Sequence, residues 1–179
     1  MRNNKPGRQT LVEYQQEINI RIQKEENDEN YLPQNFLSIV LNDNNYLINL
    51  NDIKETSTIP NISKIGRIKP WFLGIANFRG QVSPVIDMTY LFTGKNSNLH
   101  QSYALLTSDR LGTSFAMLWT GVSKLLSMKN FTVSSEEISS KDKWIKTIWI
   151  DSENVKWKEI DVENLIISPE LSDIYNADK

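Results

Sequence analysis

Asn77-Phe78-Arg79-Gly80 sets one arginine against a glycine at the end of an apolar run. A guanidinium is planar, permanently charged and able to grip an oxyanion with two parallel N–H donors. Residues 71 to 87, WFLGIANFRGQVSPVID, contain no nucleophile, general base or metal cluster arranged for catalysis. The chemistry on offer is recognition: a fixed cation beside a tight turn, backed by an apolar strand.

The rest of the chain offers no catalytic alternative. It has no cysteine, which excludes disulfides, thiolate metal sites and cysteine nucleophiles. His100 is the one histidine, and KNSNLHQSY around it reads as a solvated loop, so neither a metal site nor a phosphotransfer histidine is expected. The acids fall in polar runs such as Glu25-Glu26-Asn27-Asp28-Glu29 and Glu136-Glu137, the pattern of a solvated face. Neither a phosphate-cradling G-x-x-x-x-G-K-[ST] loop nor a G-x-S-x-G elbow occurs. No enzyme activity and no cofactor are expected.

A nucleic-acid-binding barrel is the rival from another class. Lys64, Arg67, Lys69 and Arg79 form a basic segment, and five tryptophans could stack bases. A formal net charge of -2 supplies no global field for a polyanion, and Trp144, Trp149 and Trp157 fall inside strand patterns. The chain is therefore expected to bind no nucleic acid. No run of about 18 apolar residues occurs, so no direct membrane insertion is expected either. The start, MRNNKPGRQTLVEYQQ, lacks the apolar core of a secretory signal.

The elements that must position Arg79 are short strands. FLSIVL (36 to 41) and YLINL (46 to 50) flank Asn42-Asp43-Asn44-Asn45 and predict a hairpin. YALLT (103 to 107) and SFAMLW (114 to 119) flank a second turn at residues 108 to 112. WIKTIWI (144 to 150) and VKWKEI (155 to 160) flank a third at 151 to 154, with Val155 and Trp157 facing opposite to Lys156 and Lys158. Thr10 and Glu13 match a capping box ahead of Leu11, Tyr14, Ile18 and Ile22, which predicts an amphipathic helix over 11 to 23. Asp161 is placed to cap a short helix through Leu165 and Ile166, stopped by Pro169. Another helical turn is expected over 88 to 92.

Within the central stretch, Pro70 is suited to open a helical turn, anchored in a core by Trp71, Phe72 and Ile75. Gly74 permits close backbone approach, and Gly80 permits a turn conformation that other residues avoid. Val82, Pro84 and Ile86 share one face of the following strand. Pro84 cannot donate to a ladder, so that strand is expected at an edge or bulge, beside a groove suited to docking. A purely structural reading stands beside this one: Gly80 serves only the hairpin, and Arg79 pairs internally with a carboxylate such as Asp87.

The pattern W-x-x-G-x-x-N-x-R-G-x-V-x-P-x-x-D, here Trp71, Gly74, Asn77, Arg79, Gly80, Val82, Pro84 and Asp87, resembles the core motif of CheW-like adaptor domains of bacterial chemosensory arrays. The likeness runs from about Phe36 to Leu171. Overall length and the N-terminal helical extension look like the pilus-associated member that serves twitching motility. The resemblance implies an all-β fold of two SH3-like five-stranded barrels, with residues 1–35 as a helical extension, 36–171 as the domain and 172–179 as a tail. It implies a non-catalytic scaffold in the cytoplasm, associated with membrane chemoreceptor arrays. One surface would bind a CheA-type histidine kinase and a groove would bind the cytoplasmic tip of a methyl-accepting chemoreceptor. Asn77, Arg79 and Gly80, with Val82, Val85 and Ile86 in core or groove, fall on the partner-binding region. Trp71, Gly74, Pro84 and Asp87 fall on its structural frame. Phe78 stands where the family usually has leucine, no glycine opens the FAML strand, and no acid lies near Thr120. The turn at 151 to 154 lacks the usual glycine, for which Asn154 can substitute.

Overall fold

The computed structural model describes residues 35–172, apart from 67, 68 and 141. The helix expected over 11 to 23 lies outside the described residues, as do Arg67 and residues 173–179. The strands are, in chain order, β1 (Asn35–Leu41), β2 (Asn44–Asn49), β3 (Ile53–Ser57), β4 (Ile62–Ser63), β5 (Phe72–Phe78), β6 (Gln81–Asp87), β7 (Ser102–Thr107), β8 (Ala116–Thr120), β9 (Val122–Ser127), β10 (Thr132–Val133), β11 (Ile145–Ile150) and β12 (Lys156–Ile160). Helix α1 (Met88–Thr93) follows β6, and α2 (Val162–Ile167) and α3 (Pro169–Ser172) follow β12.

Each expected hairpin forms where residues tolerant of left-handed backbone sit. Asn42 and Asp43 have φ of 45° and 63° between β1 and β2, and Asn154 has φ of 63° between β11 and β12. Asn154 thus fills the place of the absent glycine. The β7–β8 loop carries a 3-10 turn, Asp109–Leu111, closed by Gly112 at φ 71°. Asp161 caps α2, and Ser168 ends it one residue before Pro169 opens α3.

Two sheets result, one with the order β10-β11-β12-β2-β1-β9 and the other β3-β7-β8-β6-β5-β4. The all-β, two-sheet expectation holds, with a two-residue strand, β4 or β10, as the sixth member of each sheet. With the second order reversed, the two superimpose term by term. The β1–β2 and β7–β8 hairpins are equivalent, as are the parallel pairs β2–β12 and β8–β6, and the hairpins β11–β12 and β5–β6. The lobes are therefore built on the same strand arrangement, and the N-terminal hairpin completes the lobe built by the C-terminal strands. The chain returns to that lobe at Gly121, whose φ is 81° and whose added Cβ would lie 2.1 Å from Val40 O.

The lobes share one apolar core. Leu37, Ile39 and Ile48 from the first sheet meet Leu105, Met117 and Trp119 from the second. Phe92 on α1 stands among Tyr46, Trp119 and Trp144, with ring centroids 5.2, 5.2 and 5.5 Å away. Each side chain of this size contributes about 1.5–3 kcal/mol when fully buried, so the shared cluster dominates lobe cohesion. Ala76, Phe78, Val85, Ala104, Leu106, Ala116 and Leu118 make a smaller cluster belonging to the second lobe.

Two local expectations are corrected. Pro70 opens a single turn, Phe72 N–H donating to Lys69 O at 3.0 Å, and Phe72 then begins strand β5. Proline suits the second position of such a turn as well as a first helical turn, and the alternating burial of β5 decides for strand. Strand β6 is interior, flanked by β5 and β8, so the edge expected at Pro84 is not found, while a bulge lies beside the Ile75↔Pro84 pair, where the β5–β6 register shifts between Phe72 and Gly74. Its register with β8 begins only at Val85↔Ala116, so Pro84 sits just before that ladder and blocks no bond in it.

Candidate functional site

Strands β5 and β6 end in a two-residue turn. Phe78 faces Gln81, and Arg79 and Gly80 between them have φ of 49° and 92°, the pair of positive values that a type I′ turn needs. Asn77 Oδ1 accepts the Gly80 N–H at 2.7 Å, which fixes the turn from its own strand. Arginine pays a local conformational penalty at positive φ, so the fold holds Arg79 at the apex against its backbone preference.

The Arg79 side chain is 72% exposed, and its Nε lies 3.0 Å from Glu55 Oε1. Glu55 is on β3, the edge strand farthest from β4 in the sheet order. The contact shows that this sheet curls until its first strand reaches the far hairpin, as a small barrel does. An ion pair this open contributes about 0–1 kcal/mol, too little to sequester the guanidinium. It aims the side chain while leaving most of its surface in water.

Asp87 is not the internal partner of Arg79. It lies buried at the other end of β6, where Oδ1 accepts from Tyr90 N at 2.9 Å and Ser97 Oγ at 2.6 Å, and Oδ2 accepts from Ser97 N at 2.9 Å. Trp71 is buried in the shared core. Gly74 takes φ 132° at a register shift of β5, and an added Cβ would stand 2.2 Å from Ser63 O, so close backbone approach is its role.

The apolar residues after the turn divide by face. Val82 is 63% exposed and pairs across the hairpin with Asn77. Pro84, on the same face, is half-buried, and Ile86 reaches the shared core. Val85 points the other way and is wholly buried in the second lobe's own cluster. The structure thus brings Asn77, Arg79, Gly80 and Val82 together at the surface. Val85, Ile86, Trp71 and Asp87 form the frame beneath.

Four residues at this site lie outside the sequence motif. Glu55 braces Arg79, Gln81 Nε2 donates to Ser114 Oγ at 2.7 Å, and Ser83 Oγ is 3.3 Å from the same oxygen. No local spacing links Glu55 or Ser114 to the turn; pairing of β6 with β8 brings Ser114 there, and closure of the sheet brings Glu55. Among the described residues no group of three or more His, Cys, Asp or Glu side chains is arranged to hold a metal ion. His100 lies exposed on a 3-10 turn, Leu99–Gln101. No helix among the described residues is long and apolar enough to cross a membrane.

Residues 35–170 match the CheW-like domain family. Comparison with curated proteins gave no match. Among solved structures, the chain is similar to the scaffolding protein TtCheW from Thermoanaerobacter tengcongensis, with a TM-score of 0.64 and 19% identity over 77% of this chain and 95% of that one. With a two-sheet β fold, Asn77, Arg79, Gly80 and Val82 gathered at one exposed turn and a family match over most of its length, this chain belongs to the CheW-like family of non-catalytic chemotaxis scaffolds.

Proposed function

We propose that this protein is an adaptor that couples a CheA-type histidine kinase to the cytoplasmic tip of a methyl-accepting chemoreceptor, with the Arg79 turn on the receptor side. The observation that carries this reading is an exposed arginine held at positive φ, braced by Glu55 and set beside exposed Val82. A cation fixed in this way recognises a carboxylate or backbone carbonyl at little entropic cost, and Val82 adds an apolar contact. Asn77 and Gly80 shape the turn, and Val85 and Ile86 support it from below. The domain proper spans residues 36–171, with 1–35 as an extension before it and 172–179 as a tail.

The mechanism is multivalent. Two moderate contacts on one rigid body raise the effective concentration of kinase at receptor and fix their relative orientation. The site of action is the cytoplasmic face of membrane chemoreceptor arrays, in the pathway that controls type IV pilus twitching. Affinity purification from native cells at moderate salt tests the adaptor reading: copurification of a CheA-type kinase and a chemoreceptor is expected, and loss of receptor alone in Arg79→Ala. Copurification of neither from wild type would overturn it. Deletion of the gene should abolish twitching and spare swimming; the reverse would place the protein in a flagellar array.

A further inference from the structure

The β7–β8 loop, residues 108 to 115, is tied at both ends to other parts of the fold. At its start, Arg110 reaches three acceptors on two segments at once. Its Nε donates to Asn51 O at 2.9 Å, one terminal nitrogen donates to Glu163 Oε1 at 3.0 Å, and the other bonds the Asp52 carboxylate. Asn51 and Asp52 belong to the 3-10 turn Leu50–Asp52, on which the chain crosses from the first sheet to the second. Glu163 is on α2, in the first lobe. Ser108 N–H donates to Asp52 O at 2.8 Å, and Lys54 Nζ lies 2.9 Å from Asp109. Asp52 is buried, so the Arg110 guanidinium balances a carboxylate removed from water, and its planar fork can serve three acceptors where an ammonium cannot hold the same geometry.

At the other end of the loop, Ser114 takes the side-chain bond from Gln81, the residue that follows Gly80. The Thr107 hydroxyl fixes the backbone between, donating to Thr113 O and accepting from Phe115 N, both at 3.0 Å. One short loop thus spans from the interlobe anchor at Asp52 and Glu163 to the exit of the Arg79 turn.

We infer that Arg110 is a positioning residue for the Arg79 turn. By fixing the start of the β7–β8 loop, it keeps Ser114 in reach of Gln81 and so sets the angle at which the turn stands on the second lobe. This rests on the Proposed function for its biological meaning, since a turn that reads a partner must be held in one geometry. Coupling of this kind is reciprocal: a partner that moves the turn alters the contacts of Arg110 with the first lobe.

The test uses ¹H–¹⁵N spectra of the partner-free protein. In Arg110→Ala, the amide peaks of Gly80 and Gln81 are expected to shift along with those of Asp52 and Glu163. In a Ser114→Ala background, Arg110→Ala is expected to leave Gly80 and Gln81 where Ser114→Ala alone puts them. Should Arg110→Ala fail to fold, Arg110→Lys, which keeps the charge and loses the fork, is expected to give the same displaced Gly80 peak. Shifts at Asp52 and Glu163 with Gly80 and Gln81 unmoved would reduce Arg110 to a local staple and overturn the inference. Because no partner is present, that outcome leaves the adaptor reading standing. Failure of the wild type to capture kinase and receptor would remove that reading without touching these shifts.

Discussion

Asp87 and Asp161 occupy the same place in the two lobes. Asp87 ends β6 and Asp161 directly follows β12, and each donates its backbone N–H to a tryptophan carbonyl, Trp71 O at 2.7 Å and Trp144 O at 2.8 Å. Each carboxylate then caps a six-residue helix at 2.9 Å, accepting from Tyr90 N in one lobe and Asn164 N in the other. The motif aspartate is thus half of a duplicated device. Its twin is visible in sequence as a tryptophan followed at similar spacing by Asp161 and then Leu165, as Trp71 is by Asp87 and Leu91.

The twins differ in depth, which sets the first prediction. Asp161→Ala should cost about 1 kcal/mol, the usual value of a helix cap. Asp87→Ala should cost more, because buried Asp87 also satisfies the backbone and hydroxyl of Ser97. Urea unfolding of the two variants checks the order; equal losses would show that the Ser97 contacts contribute nothing.

Two glycines with positive φ should respond differently to alanine. Gly80 faces open space, so Gly80→Ala meets only the left-handed backbone penalty of roughly 1–2 kcal/mol. Gly121→Ala adds a Cβ 2.1 Å from Val40 O, at the point where the chain changes sheets. Its loss of stability should exceed that of Gly80→Ala, as read from denaturation midpoints at unchanged m-value.

Arg79→Ala separates recognition from folding. The Glu55 pair is open to solvent, so the change in stability should stay within about 1 kcal/mol. Receptor capture should fall while kinase capture persists. A large drop in melting temperature would instead make Arg79 a structural residue.

Acid should weaken the β11–β12 turn. Burial pushes the Asp151 carboxyl up, but hydrogen bonds from Trp157 Nε1, Val155 N and Glu153 N, with the Lys124 charge, hold it below its ordinary 3.8. A depressed folded value means that the stabilisation is present above 3.8 and is lost as pH falls through the folded pKa. Melting temperature followed from about pH 5 down to about pH 3 should therefore fall less steeply in Asp151→Asn than in wild type. Parallel curves would show that the turn does not depend on this carboxylate's charge.

Much of this fold was legible because it is local. Asn42-Asp43, Gly80 and Asn154 mark turns through their own backbone preferences, two-residue alternation marks the strands between them, and Asp161 announces its helix by what a carboxylate does for free N–H groups. The tertiary structure alone decided what those strands join. The sequence carries no sign that the hairpin of β1 and β2 completes the lobe of β11 and β12, or that β6 is interior despite Pro84. Nor does it reveal that Arg79 leans on Glu55 rather than Asp87. Those outcomes depend on apolar faces meeting across long stretches of chain and on a sheet curling closed, and neither is written in the spacing of neighbouring residues.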